Sequence, residues 1–238
     1  MRLRDLVAEF VDNPPGQIKI VMIHLRRATE RIKLIRDLEA KINTPLEIRD
    51  AVDGAALMAR GHPTECAIDP GVQRTAGEIG CAASHLEAYR AALAQDISHL
   101  VVFEDDCEVA PGFDAATLKN YFRRAKTFAG EFGLEKMDEF FLLSTCGCYT
   151  WRPLTRGIKV TNHFNGSHAY VIGRPMMQKV LDFYKGLVDK TAPIDGVLPL
   201  LLRKEGRWAF CPEEDTQFFQ QNRKIPSYVA SDGTGLRP

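Results

Sequence analysis

The chain has 238 residues, 45% hydrophobic and 26% charged, the composition of a soluble globular protein with one sizeable core. Its 31 basic and 31 acidic residues cancel, which removes a general electrostatic pull toward nucleic acid. Six cysteines in a chain this long, with no C-x-x-C pair, are no disulfide framework and read as reduced thiols in a reducing, cytoplasmic compartment.

The opening Met1-Arg2-Leu3-Arg4-Asp5 is charged and lacks the apolar centre of a secretory signal, and no run approaches the roughly eighteen apolar residues of a membrane span. Leu3, Leu6, Val7, Phe10 and Val11 recur at helical spacing, which predicts an amphipathic helix ended by Asn13-Pro14-Pro15-Gly16. Its stripe is expected to pack on the protein's own body. The alternative, with Arg2 and Arg4 beside it, is peripheral contact of residues 1–12 with the inner face of a membrane. Residues 1–17 thus form a helix and its break, and residues 18–238 a single domain.

Residues 18–23 read as a central strand, followed by the basic turn His24-Leu25-Arg26-Arg27-Ala28-Thr29-Glu30-Arg31 and a helix to about residue 42. A short strand at 46–49 runs into Asp50-Ala51-Val52-Asp53-Gly54, and residues 55–75 read as an irregular loop of the length used for lids or binding. Thr75 and Glu78 form a capping box for a helix to about Ala94. His99-Leu100-Val101-Val102-Phe103 is then a buried strand that ends in Glu104-Asp105-Asp106. This β-α-β-α-β order argues for an α/β fold with a mostly parallel sheet and helices on both faces. Beyond it the pattern predicts a helix over 114–132, a strand at 140–143, an irregular stretch over 145–156, and short strands at 158–160 and 169–172. Helices over 175–188 and 197–202, a strand at 208–210 and an irregular tail from Glu213 complete the chain.

Three adjacent carboxylates repel one another unless a cation or a set of donors offsets their charge. At the carboxyl end of a strand they face the ligand crevice of an α/β sheet, and along an extended chain Glu104 and Asp106 point to the same side. Such a pair suits a hard divalent cation held together with substrate phosphates, and a solvated acidic turn is the plainer alternative. His85, taken alone, reads as a satisfied core histidine.

Several stretches fit one pattern. Ile23-His24-Leu25-Arg26-Arg27-Ala28-Thr29-Glu30-Arg31 resembles the I-N-L-x-R-x-x-x-R signature of glycosyltransferase family 25, with His24 and Arg26 where the family often has Asn and an acid. Asp50-Ala51-Val52-Asp53-Gly54 is similar to its D/A-V-D-G element. Gly77-Glu78-Ile79-Gly80-Cys81-Ala82-Ala83-Ser84-His85 is similar to its G-E-I-G-C-x-x-S-H motif, and Glu104-Asp105-Asp106 to its E-D-D. Gly166-Ser167-His168-Ala169-Tyr170-Val171-Ile172 and Pro193-Ile194-Asp195 resemble two later elements. The order matches over about residues 18–200.

The resemblance implies a GT-A type, Rossmann-like fold, a UDP-hexose donor (often UDP-galactose), inversion at the anomeric carbon, and a saccharide or lipid-linked saccharide acceptor in surface-glycan or lipopolysaccharide synthesis. It implies manganese, with magnesium as the alternative, at Glu104 and Asp106, with His168 as an added ligand or a packing residue. Donor contacts are expected from Leu25, Arg27, Arg31, Asp53, Ser84, His85, Asp105, Gly166 and Ser167. Asp195 is the expected general base, against a helix-capping role, with Glu213, Glu214 and Asp215 as the second source. A nucleotidyltransferase would show a Gly-rich phosphate loop after the first strand, and residues 24–31 contain no glycine. A degenerate family member kept as a binding or scaffold protein is the non-enzymatic alternative.

Overall fold

In the computed structural model the described residues are 2–131, 140–144, 147–155, 157–166, 168–213, 217–222 and 224. Helix α1 (Leu3–Val11) stops at Asp12, whose backbone is left-handed (φ 53°), and a 3-10 turn at Pro15–Gln17 leads into strand β1 (Ile18–His24). A strand buried on both faces serves two cores. Ile18, Ile20 and Met22 enter one, and Val21 and Ile23 the other. Helix α2 (Ile32–Ile42) returns to strand β2 (Glu47–Asp50), a mostly exposed edge strand parallel to β1. Helices α3 (Gly54–Ala59) and α4 (Ala76–Ala94) then lead to strand β3 (His99–Glu104), parallel to β1 on its other side. His24 pairs with Asp50 and Ile23 with Glu104, so the carboxyl ends of β1, β2 and β3 are level. Three loops therefore meet along one sheet edge.

Strand β4 (Cys107–Val109) leaves this sheet, and helix α5 (Ala115–Glu131) covers one face. Strands β5 (Phe140–Leu142), β6 (Gly147–Thr155), β7 (Ile158–Asn165) and β8 (Ala169–Gly173) follow. Helices α6 (Arg174–Lys185) and α7 (Ile194–Lys204), then strands β9 (Ala209–Pro212) and β10 (Phe219–Gln221), complete the described chain. The large sheet runs β2-β1-β3-β8-β5-β9-β7-β6, and β4 pairs antiparallel with β10 beside it. Helices α1, α2 and α5 supply the core on one face, and α4, α6 and α7 the core on the other. The result is a single α/β domain.

The sheet is mixed: β2, β1 and β3 are parallel, but β8 runs antiparallel to β3 and to β5, and β7 antiparallel to β9 and β6. Parallel pairing recurs where β9, reached through α6 and α7, lies beside β5, whereas β6 and β7 follow each other as a hairpin. Three local expectations change. Residues 55–59 of the expected loop belong to helix α3, because Asp53 caps it through hydrogen bonds from Ala55 N and Ala56 N. Residues 147–155 form a strand whose register shifts three times against β7, an irregularity that hides the alternation in sequence. The tail returns as β10.

The apolar stripe of α1 is used internally. Phe10 meets the rings of Phe122 and Phe141 at centroid separations of 5.3 and 4.8 Å, and the Leu3 N–H donates to Thr44 Oγ1 at 2.9 Å. Leu3, Leu6, Val7, Phe10 and Val11 are all buried, the internal packing expected of the stripe. Among the described residues no helix is long and apolar enough to cross a membrane.

Candidate active site

Pleating separates the first two acids. Glu104 continues the side of Leu100 and Val102 toward the α4 core, and Asp105 the side of Val101 and Phe103 toward the α2 core. Asp105 is buried, and its carboxylate is fully engaged. Oδ2 lies 2.9 Å from His24 Nδ1 and accepts the Leu25 N–H at 3.0 Å, while Oδ1 accepts from Arg31, itself only 4% exposed. Asp105 and Arg31 form a clamp that ties the turn after β1 to the end of β3. The departure at His24 belongs to this clamp. Arg27 stays exposed at the rim and meets Asp53 Oδ2 at 3.1 Å, while Arg26 pairs with Asp50. These two Arg–Asp pairs link the turns after β1 and β2.

The motif over residues 77–85 divides into a seat and a site. A Cβ at Gly80 would stand 2.6 Å from Val52 O, and one at Gly54 only 1.7 Å from Ala76 O, so two glycines let α4 press against the turn after β2. Ser84 Oγ accepts the Val52 N–H at 2.8 Å and donates to Gly80 O at 2.6 Å, and it is buried. These bonds fasten α4 to the turn after β2. Glu78 closes the capping box with Thr75 and receives Arg74 at 3.0 Å.

On the same helix, His85 is fully buried. Its Nε2 lies 3.2 Å from Glu104 Oε1 and its Nδ1 2.6 Å from the Tyr170 hydroxyl, which is hydrogen-bonded to Tyr89. Cys81 Sγ is 3.9 Å from Glu104 Oε1, and ligand atoms of Cys81, His85 and Glu104 all fall within 4.8 Å of one another. Burial would raise the Glu104 carboxyl, but the hydrogen bond and charge of His85, with His168 and Arg31, hold it below its usual range.

Asp106 is 5% exposed. Its Oδ2 accepts from Gln221 Nε2 at 2.9 Å and its backbone oxygen from Asn222 N at 2.7 Å. Its Oδ1 is buried with no hydrogen-bond partner. Burial and then the charge of Glu104 push this carboxyl up to about 6. A buried orphan oxygen beside a second carboxylate is what a cation ligand looks like when protein donors alone surround it, so the residues fit a divalent ion.

Asp195 lies in the first turn of α7, whose N-cap is Pro193, so the capping alternative is set aside. Its carboxylate accepts from the Gly166 N–H, where the backbone is left-handed (φ 76°), and burial, then Glu104 and Glu78, raise its pKa. Burial raises the Cys81 thiol too, and the carboxylates of Glu104, Asp195, Asp106 and Glu78 add to it. Cys81 thus stands among the acids of the site, a position its motif marked but its residue type did not. His168 is buried, with Nε2 2.8 Å from Ser144 Oγ, and its backbone oxygen accepts the Glu104 N–H at 3.0 Å. Ser167, Glu214 and Asp215 lie outside the described residues. Gln221 and Tyr170 are site residues that composition and spacing did not single out.

No curated protein matches the chain. The model of a glycosyltransferase family described as LPS biosynthesis proteins matches residues 17–198, from the entry to β1 into α7. That span holds the acidic end of β3, the α4 motif and Asp195, and it covers well over half of the sequence, so the chain belongs to glycosyltransferase family 25.

Proposed function

We propose that this glycosyltransferase moves a hexose, galactose in the first instance, from a UDP-sugar to a saccharide or lipid-linked saccharide hydroxyl with inversion. The observation that carries the reading is the buried, unpartnered Asp106 Oδ1 next to Glu104 at the carboxyl end of β3. Glu104 and Asp106 would hold a divalent cation, manganese first and magnesium second, with His168 beside them. Such an ion offsets the negative charge that grows on a departing diphosphate.

The chain's own groups supply the rest. Arg27 and Asp53, exposed at the rim, suit uridine or ribose contacts, and Leu25, Gly166 and Ser167 complete the proposed donor contacts. Asp195 takes the proton of the acceptor hydroxyl as its oxygen bonds to the anomeric carbon. The bond from that carbon to the β-phosphate oxygen breaks, and its electron pair leaves with UDP. A buried carboxylate with a raised pKa is a stronger base than an exposed one, which favours Asp195 for this step. Free thiols at Cys66, Cys81, Cys107, Cys148 and Cys211 agree with action in the cytoplasm.

The test is donor hydrolysis across UDP-, GDP- and CMP-sugars, with manganese and with chelator. Manganese-dependent release of UDP from one UDP-hexose is expected. No hydrolysis of any donor, with no metal-dependent UDP binding, would support a degenerate binding protein instead.

A further inference from the structure

Glu104 is the end of a buried polar chain drawn from three elements. Oε1 meets His85 Nε2 at 3.2 Å, His85 Nδ1 meets the Tyr170 hydroxyl at 2.6 Å, and that hydroxyl is hydrogen-bonded to the Tyr89 hydroxyl. His85 and Tyr89 sit four residues apart on α4 and share a face. Tyr170 stands opposite Val102, two residues before Glu104, so both side chains project to that same helix. His85, Tyr89 and Tyr170 are each 0% exposed. The Tyr170 ring stacks on His85 at 5.7 Å with a 20° tilt and is backed by Phe140 at 5.4 Å.

Proton counting gives the chain one direction for a neutral His85 ring. A carboxylate only accepts, so His85 Nε2 carries the proton and donates to Glu104. In the neutral form of the ring Nδ1 accepts and Tyr170 is its donor, whereas a protonated ring would donate at Nδ1 as well. The Tyr170 oxygen accepts from Tyr89. Burial raises both phenols, so both remain donors. Among the described residues no hydrogen bond reaches Glu104 Oε2.

We propose that Tyr89, Tyr170 and His85 form a positioning chain that holds Glu104 by Oε1 and leaves Oε2 for the cation shared with Asp106. The inference rests on the cation reading above. It makes His85 a positioning residue, one hydrogen bond from the Tyr170 hydroxyl that fixes its tautomer. Outer partners of this kind orient a ligand, and their loss lowers metal affinity by about ten- to a hundredfold.

The test is manganese titration calorimetry on the full chain, with ¹⁵N-imidazole spectra of the metal-free protein. Wild type is expected to bind manganese, Asp106→Asn to lose it, and Tyr170→Phe to bind about tenfold more weakly. Tyr89→Phe should show a smaller loss. His85→Gln, which keeps a donor near the Nε2 position, should retain more affinity than His85→Leu. The spectra should show His85 as the Nε2–H tautomer and a shifted Nδ1 signal in Tyr170→Phe. Wild-type affinity in Tyr170→Phe and His85→Leu, with Asp106→Asn still deficient, overturns the positioning chain and spares the cation site. Absence of manganese binding in wild type overturns both. An Nδ1–H tautomer of His85 overturns the chain without reference to metal. If Tyr170→Phe does not fold, Tyr89→Phe and the wild-type spectrum decide the matter.

Discussion

Gln221 donates to Asp106 Oδ2 at 2.9 Å, and Gln221 lies beyond the family match that ends at residue 198. The pairing of β10 with β4 brings it there: Gln221 stands opposite Cys107, the residue after Asp106. A segment with little family likeness thus sets the orientation of a proposed metal ligand, and it does so through one oxygen while the other stays unpartnered.

Removing that donor is therefore expected to loosen Asp106 without unfolding the domain. Gln221→Leu should weaken manganese binding by about tenfold, the low end for an outer partner of a ligand, with thermal unfolding close to wild type. Calorimetry on the two proteins checks it. Unchanged affinity would assign Gln221 to packing alone.

Asp106 also predicts a pH dependence. Its carboxyl rises from 3.8 in the unfolded reference to about 6 in the fold, so the folded state favours the protonated form. The stabilisation this gives is complete below about pH 4 and is lost as pH rises through 6, a change of roughly 3 kcal/mol at most. Metal-free protein should lose this increment between pH 4 and pH 7, and Asp106→Asn should not, so the difference between their urea curves isolates it. Manganese, which needs the carboxylate, should bind more weakly below pH 6.

The arrangement of β1, β2, β3, α2 and α4 was legible because period-2 and period-3.6 patterns there are clean and the capping box at Thr75 and Glu78 is local. The later strands were not. β6 pairs with β7 through register shifts, so its pattern is broken, and β10 is three residues long and held by a partner more than a hundred positions away. At the site, the run Glu104-Asp105-Asp106 marked the acids whose charges act on one another in the fold. The inward turn of Asp105 toward Arg31 followed from a contact between residues 74 apart, which no local pattern encodes. The α4 motif was visible as a whole, but its division into seating residues (Gly80, Ser84) and site residues (Cys81, His85) needed three dimensions.

That division makes Gly80 a test of the seat. A methyl group 2.6 Å from Val52 O and 2.8 Å from Gly54 N meets only backbone, so α4 must shift. Gly80→Ala is expected to destabilise the protein by about 1–3 kcal/mol, despite the better helix propensity of alanine. Urea denaturation measures it. A stabilised variant would show that the seat can relax.

The burial of α1 is tested in the same way. Phe10 is in ring contact with Phe122, Phe141 and Phe210. Phe10→Ala should cost about 3–5 kcal/mol. Wild type should not co-sediment with anionic vesicles. Vesicle binding that Phe10→Ala abolishes without loss of stability would return α1 to the membrane.

In the proposed mechanism Asp195 carries the chemical step, so its substitution should separate chemistry from binding. Asn at this position keeps an oxygen that can accept the Gly166 N–H, and the helix cap at Pro193 does not involve it, so the fold should survive. It cannot take a proton at neutral pH. Asp195→Asn is then expected to lower kcat by about 10²–10⁴ while UDP affinity changes less than threefold, the pattern of a group that acts in the transition state. Single-turnover transfer with calorimetric UDP binding measures both. Parallel losses in turnover and affinity would instead make Asp195 a support for the Gly166 turn, and the base would then have to come from another carboxylate.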